Sequence, residues 1–487
     1  MNRDSFYPAI ACFPLLLMLA GCAPMHETRQ ALSQHTLAVQ VDTALPTALK
    51  NGWPDSQWWL EYHDDQLTSL INNALQNAPY MQVAEQRIQL AEAQAKAVAT
   101  QDGPQLDFSA DMERQKMSAE GLMGPFALND PAAGTTGPWY TNGTFGLTAG
   151  WHLDIWGKNR AEVTARLGTV KARAAEREQT RQLLAGSVAR QLLAGSVARL
   201  YWEWQTQAAL NTVLQQIEKE QNTIIATDRQ LYQNGITSSV EGVETDINAS
   251  KTRQQLNDVA GKMKIIEARL NALTNHQTKS LKLKPVALPK VASQLPDELG
   301  YSLLARRADL QAAHWYVESS LSTIDAAKAA FYPDINLMAF LQQDALHLSD
   351  LFRHSAQQMG VTAGLTLPIF DSGRLNANLD IAKAESNLSI ASYNKAVVEA
   401  VNDVARAASQ VQTLAEKNQH QAQIERDALR VVGLAQARFN AGLIAGSRVS
   451  EARIPALRER ANGLLLQGQW LDASIQLTGA LGGGYKR

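Results

Sequence analysis

Apolar and polar residues alternate along four segments of the chain. In the longest of these, the apolar positions are the odd-numbered residues from Phe145 to Ile155, and Gly146, Thr148 and His152 are among the residues between them. Successive side chains of a β-strand point to opposite faces, so a period of two places every apolar side chain on one face. The pattern predicts strands over residues 106–112, 145–156, 335–342 and 359–369.

The four predicted strands form two pairs, because the chain consists of two similar halves. Pro104-Gln105-Leu106 matches Pro333-Asp334-Ile335, and Asn234-Gly235-Ile236 matches Ala441-Gly442-Leu443. Internal similarity of this kind indicates one structural plan used twice. We predict an extended segment over 22–60, a first repeat (helix, two strands, long helix, return helix) over 61–276, a linker over 277–300, a second repeat over 301–481 and a tail over 482–487.

Each half also contains a long segment without proline, residues 158–233 and residues 374–440. Proline interrupts helices, so we predict a single helix for each segment. The second would span roughly 100 Å at 1.5 Å per residue. Both end beside a glycine, Gly235 or Gly442, which can adopt the left-handed conformation that ends a helix. Shorter helices are predicted over 80–101 and 309–331, and returning helices over 239–275 and 447–481.

One nine-residue segment occurs twice in succession, since residues 182–190 and 191–199 both read QLLAGSVAR. Nine helical residues rotate the chain by about 900°, half a turn out of phase, so an unbroken helix cannot keep one buried stripe through the insertion. Deleting one copy restores helical spacing among Leu184, Val188 and Leu200. We interpret the second copy as a recent lesion or variant rather than a functional motif, and its place in a long helix leaves open whether assembly and function survive it. A tolerated bulge in a long helix is the alternative.

Strands of about ten residues with one apolar face, and with aromatic residues such as Trp139 and Phe370 near their ends, are typical of outer-membrane barrels. A soluble two-faced sheet is the alternative. Four strands leave two open edges, which cannot persist in hydrocarbon, so other copies of the chain must complete the sheet. Eight strands would enclose a filled lumen, so three copies are the smallest open arrangement.

Composition excludes several classes of function. The chain has 45 basic and 47 acidic residues, a balance that argues against a nucleic-acid partner. Beyond the N-terminus, no apolar run is long enough to predict a transmembrane helix. The nine histidines form no HExxH or His-Asp-Ser pattern, and Asp64-Asp65 is better interpreted as a helix start than as a metal site. We therefore predict no enzyme activity, no metal and no cofactor.

Both cysteines lie within the first 22 residues. A short apolar segment over 10–20 leads into Leu19-Ala20-Gly21-Cys22, which resembles the lipobox of bacterial lipoproteins. The resemblance implies a signal peptide over 1–21, with diacylglycerol on the Cys22 sulfur and a palmitoyl chain on its amine. Ala23 in the next position implies sorting to the outer membrane. An ordinary secretory signal is the alternative.

Several further motifs, and the order in which they follow one another, resemble those of the TolC-type outer-membrane efflux lipoproteins of the NodT class. The chain departs from the family pattern in two places: Ala308 stands where the family usually has proline, and a nine-residue segment is duplicated. The motifs are Trp58-Trp59, Leu153-Asp154-Ile155-Trp156-Gly157, Arg306-Arg307-Ala308-Asp309, Phe331-Tyr332-Pro333, Pro368-Ile369-Phe370-Asp371-Ser372-Gly373-Arg374 and Ala480-Leu481-Gly482-Gly483-Gly484.

The resemblance implies a mainly α fold with membrane β: a TolC-like homotrimer whose four strands per chain complete a 12-stranded outer-membrane β-barrel above a long α-helical periplasmic tube. It implies a channel, embedded in outer-membrane lipid, that passively conducts amphipathic toxic compounds to the exterior from an inner-membrane drug efflux pump and a periplasmic adaptor protein. A type I protein-secretion duct and a structural periplasmic lipoprotein without a pore are the alternatives.

Two turns between helices correspond by this resemblance to the periplasmic tips that contact the adaptor. Their residues are Asn234, Gly235, Ile236, Ala441, Gly442 and Leu443. Simple helix capping is the alternative interpretation of their glycines. Acidic residues near the tips are candidates for a constriction, or are solvated charges: Asp228, Glu241, Glu244, Asp246 and Glu451.

Overall fold

The computed structural model describes residues 53–116, 139–184, 191–236, 239–275, 281–290 and 306–483. Cys22, the predicted signal peptide, and parts of the predicted linker and tail lie outside the described residues. The chain divides into two compact units. The sheet unit comprises the described parts of Gln89–Lys171 and Trp315–Ala391, and the helical unit those of Gln34–Ile88, Ala172–His314 and Ser392–Arg487. Each unit contains segments from both predicted repeats.

Helices make up most of the described chain. The predicted helix over 374–440 is confirmed with the same bounds, at 67 residues, and the shorter and returning helices begin and end within two residues of their predicted positions. The helices are α1 Asp65–Asn77, α2 Pro79–Ala99, α3 Lys158–Gln182, α4 Leu193–Gln233, α5 Ser239–Thr274, α6 Ala308–Ala329, α7 Arg374–Asn440 and α8 Gly446–Ala480. Within the described residues, no helix combines the length and apolar character needed to cross a membrane.

The prediction of one continuous helix over 158–233 is wrong at the duplicated segment. Helix α3 ends at Gln182 and α4 begins at Leu193, and between them Leu184 pairs with Gln191 in a short antiparallel ladder. The second copy occupies the core, where Leu193 and Val197 are both 0% exposed. The helix is broken because nine extra residues would turn this buried stripe toward solvent, as the half-turn phase difference predicts.

Four antiparallel strands form one sheet in sequence order, which confirms the four predicted strands. They are β1 Gln105–Lys116, β2 Trp139–Leu153, β3 Asp334–Ala345 and β4 Gln357–Thr366. β2 belongs to the first half and β3 to the second, so the two halves meet at the centre of the sheet. β1 and β4 are the edge strands of the sheet as described.

The core of the helical unit forms where α1 packs against α4. Leu67 and Ile71 are fully buried there beside Leu193. The predicted helix start at Asp64 is confirmed, because its carboxylate accepts the backbone N–H of Leu67 at 2.9 Å. The Tyr201 hydroxyl donates to the same carboxylate at 2.7 Å. Burial, followed by the Asp64 contact, raises the pKa of Tyr201 above its ordinary value.

Three glutamine side chains hold residues 281–290 of the linker against the helical unit. Gln66 both donates to the Lys284 carbonyl oxygen and accepts from the Lys284 N–H, at 3.3 and 3.0 Å. Gln205 donates to the same carbonyl oxygen at 2.9 Å, and Gln467 donates to that of Pro289 at 3.0 Å. These amides satisfy backbone groups of an extended segment that pairs with no strand in the described residues.

Candidate functional site

One face of the sheet is apolar across all four strands. Phe108, Leu147, Leu341 and Met359 lie side by side in the strand register. They are exposed by 67, 41, 45 and 67% respectively, in a chain whose helical core residues are fully buried. No carboxylate lies on this face within the four strands. The period-two pattern predicted this face, and its composition fits contact with lipid.

The opposite face of the sheet is polar and acidic. It carries no lysine or arginine within the four strands. The Thr144 hydroxyl donates to the Asp344 carboxylate at 3.2 Å, and His152 lies 3.7 Å from Asp334. All five strand carboxylates are on this side: Asp107, Asp111, Glu113, Asp334 and Asp344.

Two glycines on the polar face allow close approach of the neighbouring strand. A Cβ on Gly360 would come within 2.7 Å of the Phe340 ring, and a Cβ on Gly146 within 2.5 Å of backbone atoms of β3. Either contact is too short for any other residue without a shift of the neighbour. Covering strand glycines with an aromatic ring on the adjacent strand stabilises a sheet where the glycine itself contributes no side chain.

Strands β2 and β4 end earlier than predicted, because aspartates cap the helices that follow. The Asp154 carboxylate accepts the backbone N–H groups of Asn159 and Arg160 at 3.1 and 2.9 Å. Asp371 likewise accepts that of Leu375 at 2.7 Å. Capping these otherwise unpaired amides stops the strand pattern before its last apolar residues. The predicted strand residues Ile155, Trp156, Leu367 and Ile369 therefore lie beyond the strands.

Aromatic side chains lie at both ends of the strands. Beside the helix starts, Trp156 stacks on Tyr332 with 5.0 Å between ring centroids. At the loop end, Phe352 packs against Phe145 at 5.6 Å, and Trp139 is 47% exposed. The 15 residues of β2 span about 50 Å, or about 35 Å along the membrane normal at a 45° tilt, enough to cross a bilayer core.

Both predicted tips have the same backbone geometry. Gly235 and Gly442 take left-handed φ angles of 72° and 71°. The backbone N–H groups of Ile236 and Leu443 each donate to the carbonyl oxygen five residues earlier, both at 2.9 Å. This is the Schellman arrangement, in which glycine avoids the strain that a Cβ would cause. The capping role of the two glycines is confirmed, and their contact with an adaptor stays a prediction.

The tips expose apolar side chains to solvent. Ile236 is 67% exposed and Leu443 73%, and Tyr232 and Phe439 in the preceding turns are 57% and 43% exposed. Asn234 and Ala441 are exposed too. Single exposed apolar residues are ordinary on a protein surface, but the same set at two equivalent turns is typical of an interaction surface.

The acidic residues near the tips have different surroundings. Asp228 accepts a hydrogen bond from Thr245 at 3.4 Å, and Glu451 pairs with Arg448 at 2.7 Å. Glu244 and Asp246 are exposed, and the Glu241 side chain lies outside the described residues. No group of three acidic, histidine or cysteine residues in the described part of the chain could hold a metal ion. An acidic constriction stays a prediction.

Arg307, part of the Arg306-Arg307-Ala308-Asp309 motif, is a buried cation whose role the sequence does not reveal. Its guanidinium, 13% exposed, pairs with Asp309 at 2.6 Å and lies 3.7 Å from Asp403. It also donates to the carbonyl oxygens of Ala400 and Ala480, at 3.5 and 3.4 Å. Burial by itself would lower the pKa of Arg307. The hydrogen bonds and negative charges of Asp309 and Asp403 outweigh burial, so the pKa lies above its ordinary value.

The C-terminal glycine motif packs against the same arginine segment. Gly482 takes a φ angle of 97°, and a Cβ there would come within 2.1 Å of the Arg306 carbonyl oxygen. Any side chain at this position would displace backbone. Two of the quoted motifs, about 170 residues apart in sequence, are therefore parts of one junction in the helical unit.

A solvent-open groove of about 730 Å³ lies between α4, α7 and α8 in the helical unit. Arg199 of the second nine-residue copy forms an ion pair there with Asp472. Glu203 lies beside this pair, and burial raises its pKa, although Arg269 opposes the shift. The ion pair shows that the second copy has taken over a structural contact as well as a place in the core.

A family model described as outer membrane efflux protein matches residues 70–276 and 299–483. The match covers all of the second predicted repeat, nearly all of the first and most of the chain. The chain therefore belongs to the outer membrane efflux protein family, a family of outer-membrane channels that extend into the periplasm. Its members are channel proteins rather than enzymes.

Among individual relatives, the multidrug resistance outer membrane protein MdtQ of Escherichia coli O6:H1 is 96% identical over 487 residues, with full coverage of both chains. MdtP of the same organism, also named a multidrug resistance outer membrane protein, is 35% identical over 477 residues, which cover 96% of this chain and 94% of MdtP.

Two solved outer-membrane protein structures share the fold. The CmeC outer membrane channel of Campylobacter jejuni superimposes with a TM-score of 0.79 at 18% identity, over 96% of this chain and 95% of CmeC. The outer membrane protein VceC of Vibrio cholerae gives a TM-score of 0.73 at 25% identity, over 89% of this chain and all of VceC. The predicted fold class, mainly α with a four-stranded membrane sheet in a TolC-like chain, is confirmed.

Proposed function

We propose that the protein is the outer-membrane channel of a tripartite multidrug efflux system. It passively conducts amphipathic toxic compounds from an inner-membrane pump and a periplasmic adaptor to the exterior. One observation carries the proposal: a sheet with one apolar and one acidic face belongs to the same chain as a 67-residue helix. The names of MdtQ and MdtP, which specify multidrug resistance, support the class of substrate.

The working unit in this proposal is a homotrimer. β1 and β4 are edge strands of the described sheet, and open edges are unstable in hydrocarbon because their backbone groups find no partner. Pairing β1 of one copy with β4 of the next closes the sheet. Three copies contribute twelve strands, with the apolar face toward lipid and the acidic face toward the lumen.

The two tips are the proposed adaptor contacts. Support comes from their equivalent geometry and from the exposed apolar side chains of Ile236 and Leu443. Replacing both by aspartate is expected to abolish capture of the adaptor while the trimer persists. Exchanging the equally exposed Leu388 for aspartate provides the control, at a position in the first third of α7 rather than at its tip. Adaptor capture at wild-type level by the tip variant would contradict the assignment.

A lipid anchor on Cys22 completes the proposal. Several acyl chains on one residue would hold the N-terminus firmly in the membrane, where a single chain gives only marginal binding. Cys22→Ala is expected to abolish metabolic labelling with radioactive palmitate. A variant chain that still incorporates the label would place the lipid elsewhere, and a wild-type chain that incorporates none would identify the leader as an ordinary secretory signal.

The channel function can be tested through the free edge of β1. Successive residues of an edge strand direct their N–H groups alternately to the neighbouring strand and to the open side. Proline lacks this N–H group, so Ser109→Pro and Ala110→Pro have different effects. One of the two variants disrupts pairing with β2, and the other removes only an N–H donor to the next subunit. The second variant is expected to fold but stay monomeric.

Each variant is expressed in a strain without other efflux channels, and retention of a fluorescent cationic dye is measured beside subunit cross-linking. The wild-type chain is expected to lower dye retention, and the folded monomeric variant to lose that effect. Dye export that survives without trimers would refute the proposal.

A further inference from the structure

Charges separate between the two faces of the sheet at its loop end. Arg114 and Lys116 alternate with Glu113 along β1, so they stand on the apolar face while the carboxylate stands on the acidic one. Both cations are exposed. They are the only lysine or arginine residues within the four strands. If these charged residues only kept the strand soluble, the positive and negative side chains would not need to lie on opposite faces.

The connection between β3 and β4 folds over the same end of the apolar face. A Cβ on Gly143 would meet the Leu351 and Leu348 side chains at 2.9 and 3.1 Å, so these two leucines cover the glycine. Leu351 is only 7% exposed, whereas the neighbouring Phe352 is 84% exposed. The connection therefore covers the outer side of the sheet, where the Phe352 ring packs against Phe145 and stays largely exposed.

A third cation belongs to this connection. Arg353 follows Phe352, is 69% exposed and lies 3.1 Å from Asp350, which neutralises part of its charge. Met112 pairs with Gly143, and Arg114 is the next β1 residue on the same face. The strand cations and the connection thus border one surface, which we name the outer rim: Arg114, Lys116, Phe352 and Arg353.

We infer that the outer rim binds the phosphorylated headgroups of the outer leaflet of the membrane. The inference rests on the proposed insertion of the sheet in lipid. The opposite strand ends lead into helices, so the rim lies at the far headgroup level. Aromatic side chains prefer this level, and lysine and arginine next to an apolar surface attract anionic headgroups. The apolar face below the rim accommodates the acyl chains of the same lipids.

The test compares two lipids that differ only in phosphate. Detergent-solubilised trimer is titrated with fluorescent bisphosphorylated lipid A and with the same lipid after removal of its phosphates. Each cation beside an anionic headgroup contributes about a fivefold gain in affinity. The Arg114→Gln, Lys116→Gln double variant is therefore expected to reduce the preference for phosphorylated lipid by about 30-fold, and Arg353→Gln to reduce it further. Lys395→Gln with Arg430→Gln, both exposed on α7, removes equal charge outside the sheet and is expected to retain the preference.

Three outcomes overturn the inference: no preference in the wild-type trimer, an equal loss in the α7 control, or displacement of the lipid by millimolar inorganic phosphate, which would identify a free-anion site. Dye export measured on the same variants separates this inference from the proposed function. Export without a phosphate preference overturns only the role of the rim. Absence of both trimer and export would contradict the channel itself.

Discussion

Removing the buried guanidinium of Arg307 provides a sharp test of how the helical unit is held together. In Arg307→Met, Asp309 and Asp403 lose a cation that lies 2.6 and 3.7 Å away, in a site where the arginine side chain is 13% exposed. Breaking a buried pair by removing one partner typically costs about 3–5 kcal/mol, because the remaining charge stays desolvated. Since Asp309 and Asp403 are themselves partly exposed, we expect about 3 kcal/mol.

The matched control removes a second arginine from the same aspartate. Arg406 pairs with Asp403 at 2.7 Å but is 71% exposed, and exposed pairs contribute about 0–1 kcal/mol. Arg406→Met should therefore leave stability almost unchanged. Arg307→Lys is expected to fall between the two, because an ammonium keeps the charge but cannot bond two carboxylates and two carbonyl oxygens in the same fork geometry.

Urea unfolding of the detergent-solubilised protein, followed by circular dichroism of the helices, measures these differences. With a slope of about 3 kcal/mol per molar urea, a loss of about 3 kcal/mol shifts the midpoint by about 1 M, and the steeper slope of a larger chain makes the shift smaller. If Arg307→Met and Arg406→Met unfold at the same urea concentration, the burial argument is wrong.

Three further predictions test separate parts of the structure. Leu147→Arg on the apolar face should cost about 2–4 kcal/mol and abolish the folded outer-membrane form, whereas Thr148→Arg on the acidic face should leave its yield unchanged. Gly442→Ala should lose about 1 kcal/mol in urea unfolding because of its left-handed φ, whereas Gly433→Ala, inside α7 with open space at its Cβ, should gain up to about 1 kcal/mol. Burial raises the pKa of Glu203, so the ionised side chain opposes folding above that pKa. Glu203→Gln should therefore stabilise the protein near neutral pH, and the gain in stability should fade as the pH falls through the raised pKa. A gain that does not depend on pH would exclude this cause.

Local patterns predicted the regular elements well. The absence of proline and the terminal glycine were enough to give the bounds of α7, and period-two alternation gave all four strands. The errors arose where a side chain competes with a local pattern. Apolar alternation continues through Ile155 and Leu367, but the Asp154 and Asp371 carboxylates bond helix amides and end the strands first.

Local sequence patterns could not predict contacts between segments that are distant in the chain. Arg307 and the C-terminal glycines were quoted as separate motifs, and only the fold shows that Gly482 packs on the Arg306 carbonyl group. The outer rim was missed for a similar reason. The predicted strand stopped at Met112, two residues short of Arg114, and the position of Phe352 depends on how the β3 to β4 connection folds back over Gly143.

The pairing of β2 with β3 determines when the sheet can form during biosynthesis. Thr144 and Asp344, which share a hydrogen bond, are 200 residues apart in sequence. Well over half of the chain must therefore leave the secretion machinery before β2 meets its second neighbour. Closing so long a segment is entropically costly and slow. Until then the β1–β2 hairpin has its apolar face uncovered in water, and we expect the nascent chain to need a holding chaperone that binds exposed strands.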